Sequence, residues 1–227
     1  MAKPFVRLYP VDIARLPWQQ IGAHAPVGIY QKILAEDPGN GSVTRLLRSE
    51  PHIDQGVFVH EHWEEVYILE GGAKLGREYH PAGTFTCKSP GVEHGPILTD
   101  TGFVNLEFRD YHIKSMNKPF ARLYPIDILR LPWVKIGGKT AGTQVKNLAE
   151  DPGTGSESLL LKAEAWREIL YPDDQRCEEM YILEGSCKMG NEFYPTGSYI
   201  CWPPMHERGP LCSDDGFLAL VIRNRVS

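Results

Sequence analysis

The sequence predicts an all-β chain composed of two tandem copies of one domain, each a sandwich or a barrel. Two observations carry the prediction: an internal repeat of domain length, and short apolar runs divided by turn residues. Residues 3–22 read KPFVRLYPVDIARLPWQQIG and residues 118–137 read KPFARLYPIDILRLPWVKIG, identical at fifteen of twenty positions. The match continues as LAEDPGNGSVTRLLRSE at 34–50 against LAEDPGTGSESLLLKAE at 148–164, and as EEVYILEG at 64–71 against EEMYILEG at 178–185. The offset is 115 residues from Trp18 to Trp133 and 114 from Glu64 to Glu178, so one residue has been lost between them. A period of this size is too long for a solenoid unit and matches a small domain. The expected domains are residues 1–114 and 115–227, joined near Tyr111–Asn117.

Within a copy, Val43–Leu47, Val66–Leu69, Phe85–Cys87 and Phe103–Phe108 are apolar runs of strand length. Between them stand turn residues: Asp37-Pro38-Gly39, Gly71-Gly72, Pro81-Ala82-Gly83 and Pro90-Gly91. Strands of this length at this spacing favour a sandwich or barrel over βαβ units. One helical turn or two is expected near Val11–Leu16, started by Pro10 and Asp12 and ended by Pro17.

Composition excludes several classes of partner. The chain is 42% hydrophobic and 23% charged, as globular domains are. A net charge of −5 and a pI near 5.9 argue against a nucleic-acid surface and against docking on an anionic membrane. No run of eighteen apolar residues is present to span a bilayer. Five scattered cysteines (Cys87, Cys177, Cys187, Cys201, Cys212) form no C-x-x-C pair, and the opening Met1-Ala2-Lys3-Pro4 leads into no apolar signal segment. The expectation is a reduced, cytoplasmic protein.

The chemistry concentrates in Gly56-Val57-Phe58-Val59-His60-Glu61-His62-Trp63-Glu64-Glu65-Val66. On a strand, alternate residues face one side, so His60, His62 and Glu64 are expected on one inward face. Two imidazoles and a carboxylate make a mixed nitrogen and oxygen set suited to Zn, Fe, Mn, Ni or Cu. A third imidazole, His94, follows the Pro90-Gly91 turn. His24, His52, His80 and His112 have no such neighbours and are expected at the surface.

This pattern resembles the cupin superfamily. That superfamily joins H-x-H to a glutamate seven residues before a glycine, as Glu64 is to Gly71, and carries a second motif ending P-G-x-x-H, as at Pro90–His94. More narrowly, the order L-P-W, L-x-E-D-P-x-x-G, L-L-R, H-x-H, E-E-x-Y-x-L-E-G, A-G-T and P-G-x-x-H-G-P is similar to the ChrR-type cupins, twice over nearly the whole chain. The resemblance implies two RmlC-like jelly-roll barrels. It also implies a metal held by His60, His62, Glu64 and His94. One departure is that Trp63 alone separates His62 from Glu64, where the family places three or four residues, so Glu65 competes with Glu64 for the carboxylate role. One divalent metal per chain is implied, Zn or Fe(II) foremost and Mn or Ni as alternatives, together with a small-molecule ligand and a homodimer.

Applying the 114-residue offset maps His60 to Asp174, His62 to Arg176, Glu64 to Glu178 and His94 to Arg208. The arginine guanidinium stays protonated and offers no lone pair to a metal. The second copy is therefore expected to carry a degenerate site closed by ion pairs, with Arg176 or Arg208 on Asp174 or Glu178. Two functions follow from the resemblance. One is a metal-dependent dioxygenase acting on a small carbonyl compound, within an apolar wall expected from Phe58, Tyr67, Phe85 and Phe108. The other is a zinc-binding sensor or regulatory module related to anti-sigma factors. The H-x-x-x-C-x-x-C site with which those proteins grip a sigma factor has no counterpart here, so a sigma factor is not expected as partner. A storage-type bicupin ranks last, because a ligand set is retained.

Overall fold

The structure is a computed structural model and describes residues 2–22, 27–111, 116–136, 142–169 and 175–225. Its regular structure is almost entirely β and falls into two compact units of like topology. In the unit Leu16–Arg130 the larger sheet runs Ala121–Leu123, Phe85–Lys88, Trp63–Leu75, Phe103–Asp110, Val43–Ser49, Ile29–Glu36, Gln19–Gln20 in spatial order. A smaller sheet takes the far half of Trp63–Leu75 together with Glu78–Pro81, Ile97–Thr99 and Ile53–Gln55. Every neighbouring pair is antiparallel. The second unit repeats the larger sheet as Val6–Leu8, Tyr199–Trp202, Arg176–Met189, Phe217–Arg225, Ser156–Ala163, Thr143–Asp151, Val134–Ile136.

The longest strand of each unit serves both of its sheets, and a glycine makes that possible. Gly71 ends the pairing with Phe103, and Gly72 begins the pairing with Pro81. Gly71 has a φ of 68°, and a Cβ there would lie 2.3 Å from the Gly102 carbonyl oxygen. Gly185 repeats the arrangement against Gly216 at the same 2.3 Å. Only glycine tolerates both the left-handed backbone and that approach.

The predicted helical turn occurs twice, as Pro10–Arg15 and Pro125–Arg130. In each, an aspartate in the first turn accepts a hydrogen bond from the backbone N–H three residues before it, Tyr9 to Asp12 and Tyr124 to Asp127, both at 3.0 Å. This is one half of a capping box. Trp18 and Trp133 occupy equivalent places, with Lys32 and Lys146 each 4.9 Å above the ring.

The compact units do not end where the sequence repeat ends. Residues Met1–Arg15 join Leu131–Ser227, and the segment up to Arg130 joins the first repeat. Each repeat's leading arm therefore completes the other repeat's sheet: Val6–Leu8 pairs with Tyr199–Cys201, and Ala121–Leu123 with Phe85–Cys87. A buried ammonium anchors each arm, Lys3 Nζ at 2.6 Å from Glu179 Oε1 and Lys118 Nζ at 2.8 Å from Glu65 Oε1. No described helix is long and apolar enough to cross a membrane.

Candidate metal centre

The predicted ligands lie where the larger sheet meets an irregular segment. The strand expected to carry His60, His62 and Glu64 together begins only at Trp63, and residues 61–62 form a bend. Backbone bonds hold the segment before the bend. Phe58 and His94 exchange a pair at 2.8 and 3.0 Å, and Gly91 N–H donates to His60 O at 2.8 Å. The turn carrying His94 is thereby stapled to the stretch carrying His60. Three side chains converge, His60, Glu64 and His94, their donor atoms all within 4.8 Å of one another. His60 Nε2 lies 3.3 Å from Glu64 Oε2, and His94 Nε2 lies 3.5 Å from Glu64 Oε1.

The bend breaks the alternation that would have put His62 with them. Its ring instead packs at 4.7 Å from the His60 ring and 4.7 Å from Tyr111. His62 is buried, and its Nε2 has no hydrogen-bond partner. The carboxylate alternatives separate cleanly. Glu64 faces the cluster, whereas Glu65 turns to the opposite face of the sheet and binds Lys118.

The electrostatics favour cation binding. The Val92 carbonyl lies 3.1 Å from His94 Nδ1 and can only accept, so Nδ1 carries the proton and Nε2 presents its lone pair toward Glu64. Burial, reinforced by Lys88, lowers the pKa of His94 and keeps the ring in its ligating form. Burial also pulls His62 down to about 3, with Arg109 and His60 adding to it. For Glu64, burial opposes the charge, but Lys88, His60 and His94 outweigh it and hold the carboxyl well below its ordinary range. Lys88 Nζ is 2.6 Å from Glu64 Oε1, and Arg109 Nη2 is 3.9 Å from Oε2. A preformed carboxylate, two converging imidazoles and a further buried imidazole nitrogen without a partner, His62 Nε2, fit a divalent metal by donor chemistry.

The cluster opens into a cavity of about 300 Å³ inside the barrel. Its walls follow the strand parity. Side by side across three strands stand Lys88, Glu64 and Arg109; one step further in come Thr86, Val66 and Glu107, then Arg45. Arg45 binds Glu107 and donates to Gln31 at 2.6 Å. Deeper still the lining turns apolar, with Leu47, Ile68, Leu75, Ile97 and Phe103. The aromatic wall expected from the sequence is corrected here. Phe58 does line the cavity, but Tyr67, Phe85 and Phe108 do not, and Phe103 does. Tyr67 lies an odd number of residues from Glu64, Phe85 pairs with it, and Phe108 pairs with Glu65, so all three belong to the other face. His80, expected at the surface, is also buried and lines the cavity, where burial lowers its pKa to about 4. His52 is exposed as expected; His24 and His112 lie outside the described residues.

The second copy fills the equivalent positions with apolar side chains. Across the 114-residue offset, Arg45, Ser49, Gln55, His80, Thr86, Lys88, Asn105 and Glu107 become Leu159, Ala163, Ile169, Tyr194, Ile200, Trp202, Ala219 and Val221. Every one of those replacements sits in the second barrel's apolar core. Its residual carboxylate, Glu178, is bound by Arg223, and Arg208 Nη1 stands 2.7 Å from its Oε1 in an ion pair not aligned as a hydrogen bond. The Arg208 guanidinium also lies 4.8 Å from the Trp202 ring centroid. Arg176 binds Glu157 at 2.9 Å instead, and Asp174 lies outside the described residues. Arg45, Glu107 and Lys88 were missed from the sequence. The signal was present in the repeat itself, as positions charged in one copy and apolar in the other.

Comparison with known proteins places this geometry. The family profile described as the ChrR Cupin-like domain matches residues 7–109 and again 123–227. No curated protein sequence matches the chain. Among solved structures, a candidate dioxygenase from Nostoc punctiforme superposes with a TM-score of 0.79 at 18% identity, covering 100% of this chain and 84% of that one. Streptomyces albus HEPD, solved with 2-hydroxyethylphosphonate and Fe(II), gives 0.68 at 9% identity over 98% and 76%. Oxalate decarboxylase from Lactobacillus farciminis gives 0.64 at 11% identity over 97% and 86%. At these identities the structures establish the fold, two cupin domains in one chain. With its domain profile matched in both halves, the chain belongs to the ChrR cupin-like family.

Proposed function

We propose that the first barrel binds one divalent metal through His60, Glu64 and His94, with His62 as the fourth ligand, and acts as an O2-dependent oxygenase on a small carbonyl compound. The observation that carries this reading is the convergence of three potential ligands at the polar end of a cavity in the first barrel. The metal would supply Lewis acidity and, as Fe(II), redox reactivity toward O2. The chain's own residues prepare the site. Val92 O fixes the His94 tautomer, Lys88 holds Glu64 ionised and oriented, and Phe58 with the apolar lining excludes water. The likeness to a candidate dioxygenase and to an Fe(II)-bound enzyme supports the same reading.

The test is metal analysis of protein purified anaerobically without added metal, then loading with Fe(II) and following O2 uptake against β-diketones and α-hydroxyketones. Uptake is expected with the wild type and not with His94→Ala. The ChrR family membership supports a second reading, a zinc-dependent regulatory domain. That reading prevails if zinc is the native metal and no compound drives uptake while one of them raises the thermal stability of the zinc form.

A further inference from the structure

Lys88 is the unusual group in the cavity. It is 5% exposed, and its ammonium is bound to Glu64 at 2.6 Å, with Thr86 Oγ1 a further 3.4 Å contact. A buried ammonium requires a counter-anion, and here that anion is also the carboxylate offered to the metal. The carboxylate has a second cationic neighbour in Arg109, which the other copy keeps as Arg223. At the position of Lys88 the other copy carries Trp202 in its apolar core, and Arg208 takes the place on Glu178 Oε1 that Lys88 has on Glu64 Oε1. Both glutamates thus have two cationic neighbours, and in the first copy the lysine also lines the cavity.

Charge balance says what it is for. The cavity is lined by three cationic side chains, Arg45, Lys88 and Arg109, against two carboxylates, Glu64 and Glu107. Glu107 is shared by Arg45 and, at 3.1 Å, Arg109, and Glu64 faces Lys88. A divalent ion on Glu64 raises the remaining positive excess and at the same time gives that carboxylate a new partner, so Lys88 Nζ becomes surplus at the edge of the coordination site. We propose that Lys88 is a ligand-binding residue and that the cavity's ligand is a small carboxylate with a neighbouring carbonyl or hydroxyl oxygen and an apolar tail. The two oxygens would approach the metal, the carboxylate would pair with Lys88, and the tail would lie along Leu47, Ile68 and Phe103. This rests on the metal reading above and narrows its substrate from carbonyl compounds in general to anionic ones.

The experiment compares α-ketoisocaproate with its neutral amide by calorimetric titration of the Zn(II)-loaded protein and of the apoprotein. The two probes share the ketone and the apolar tail and differ at the carboxyl end, where NH2 replaces a charged oxygen, so the loss of the preference in Lys88→Met is the reading that isolates the lysine. Wild-type Zn(II) protein is expected to bind the acid at least about tenfold more tightly than the amide, and Lys88→Met is expected to abolish that preference while retaining zinc. Equal affinity for acid and amide in the wild type, or loss of zinc together with both affinities in Lys88→Met, overturns the proposal and makes Lys88 a support of Glu64. Should Lys88→Met fail to fold, the wild-type comparison alone decides. Failure of the underlying metal reading would look different, because the protein would then hold no zinc at all before any probe is added.

Discussion

His60→Ala is expected to lower metal affinity by at least about a hundredfold, since even the outer hydrogen-bond partners of metal ligands are worth about 10–100-fold. The residue supplies one of three converging donors, and no other described side chain stands ready to replace it. Its side chain is 20% exposed and lies outside the regular strands, so the loss should come with little change in folding. Metal content after dialysis, together with competition against a chelator, measures the effect. His62→Ala is the informative companion. Its Nε2 is buried and without a partner but lies outside the triad, so its removal should cost less metal than His60→Ala. Equal losses from the two variants would make His62 as strong a ligand as His60, and no loss in His62→Ala would remove it from the ligand set; full retention in His60→Ala would remove the metal centre from that position.

Glu178→Ala should produce the largest change in stability. The carboxylate is 1% exposed and lies between Arg208, itself 3% exposed, and Arg223. Removing one member of a buried ion pair leaves an uncompensated charge, a cost of about 3–5 kcal/mol. Arg223 keeps Glu157 at 2.9 Å, so most of the penalty falls on Arg208. Denaturant titration monitored by circular dichroism should show the loss. The double replacement Glu178→Met with Arg208→Met should recover most of it, because an apolar pair of similar volume can substitute for a buried ion pair. A Glu178→Ala protein as stable as the wild type would mean that the pair contributes nothing to the second barrel.

The sequence by itself determined the duplication, the β class and the helical turns, and it singled out His60, Glu64 and His94, which the fold brings together. These depend on local pattern: a repeat identical at fifteen of twenty positions, runs of strand length between turn residues, and a histidine and glutamate spacing shared with a family. It could not separate Glu64 from Glu65. Their faces depend on where the strand begins, and the bend at residues 61–62 shifts that point, which also turns His62 away from its expected neighbours. Alternation counted from Glu64 would itself have put Tyr67, with its partner Phe85, on the far face of the sheet.

Tertiary structure alone decided two matters. The first is which arm joins which barrel. Both arms read K-P-F-x-R-L-Y-P and both barrels offer a glutamate, Glu65 or Glu179, to a lysine, so the sequence is degenerate and only the path of the chain selects the partner. The second is that Arg45, Glu107, His80 and Lys88 share an interior. They lie on four different strands up to 62 residues apart, and only the antiparallel register brings their alternating faces around one cavity.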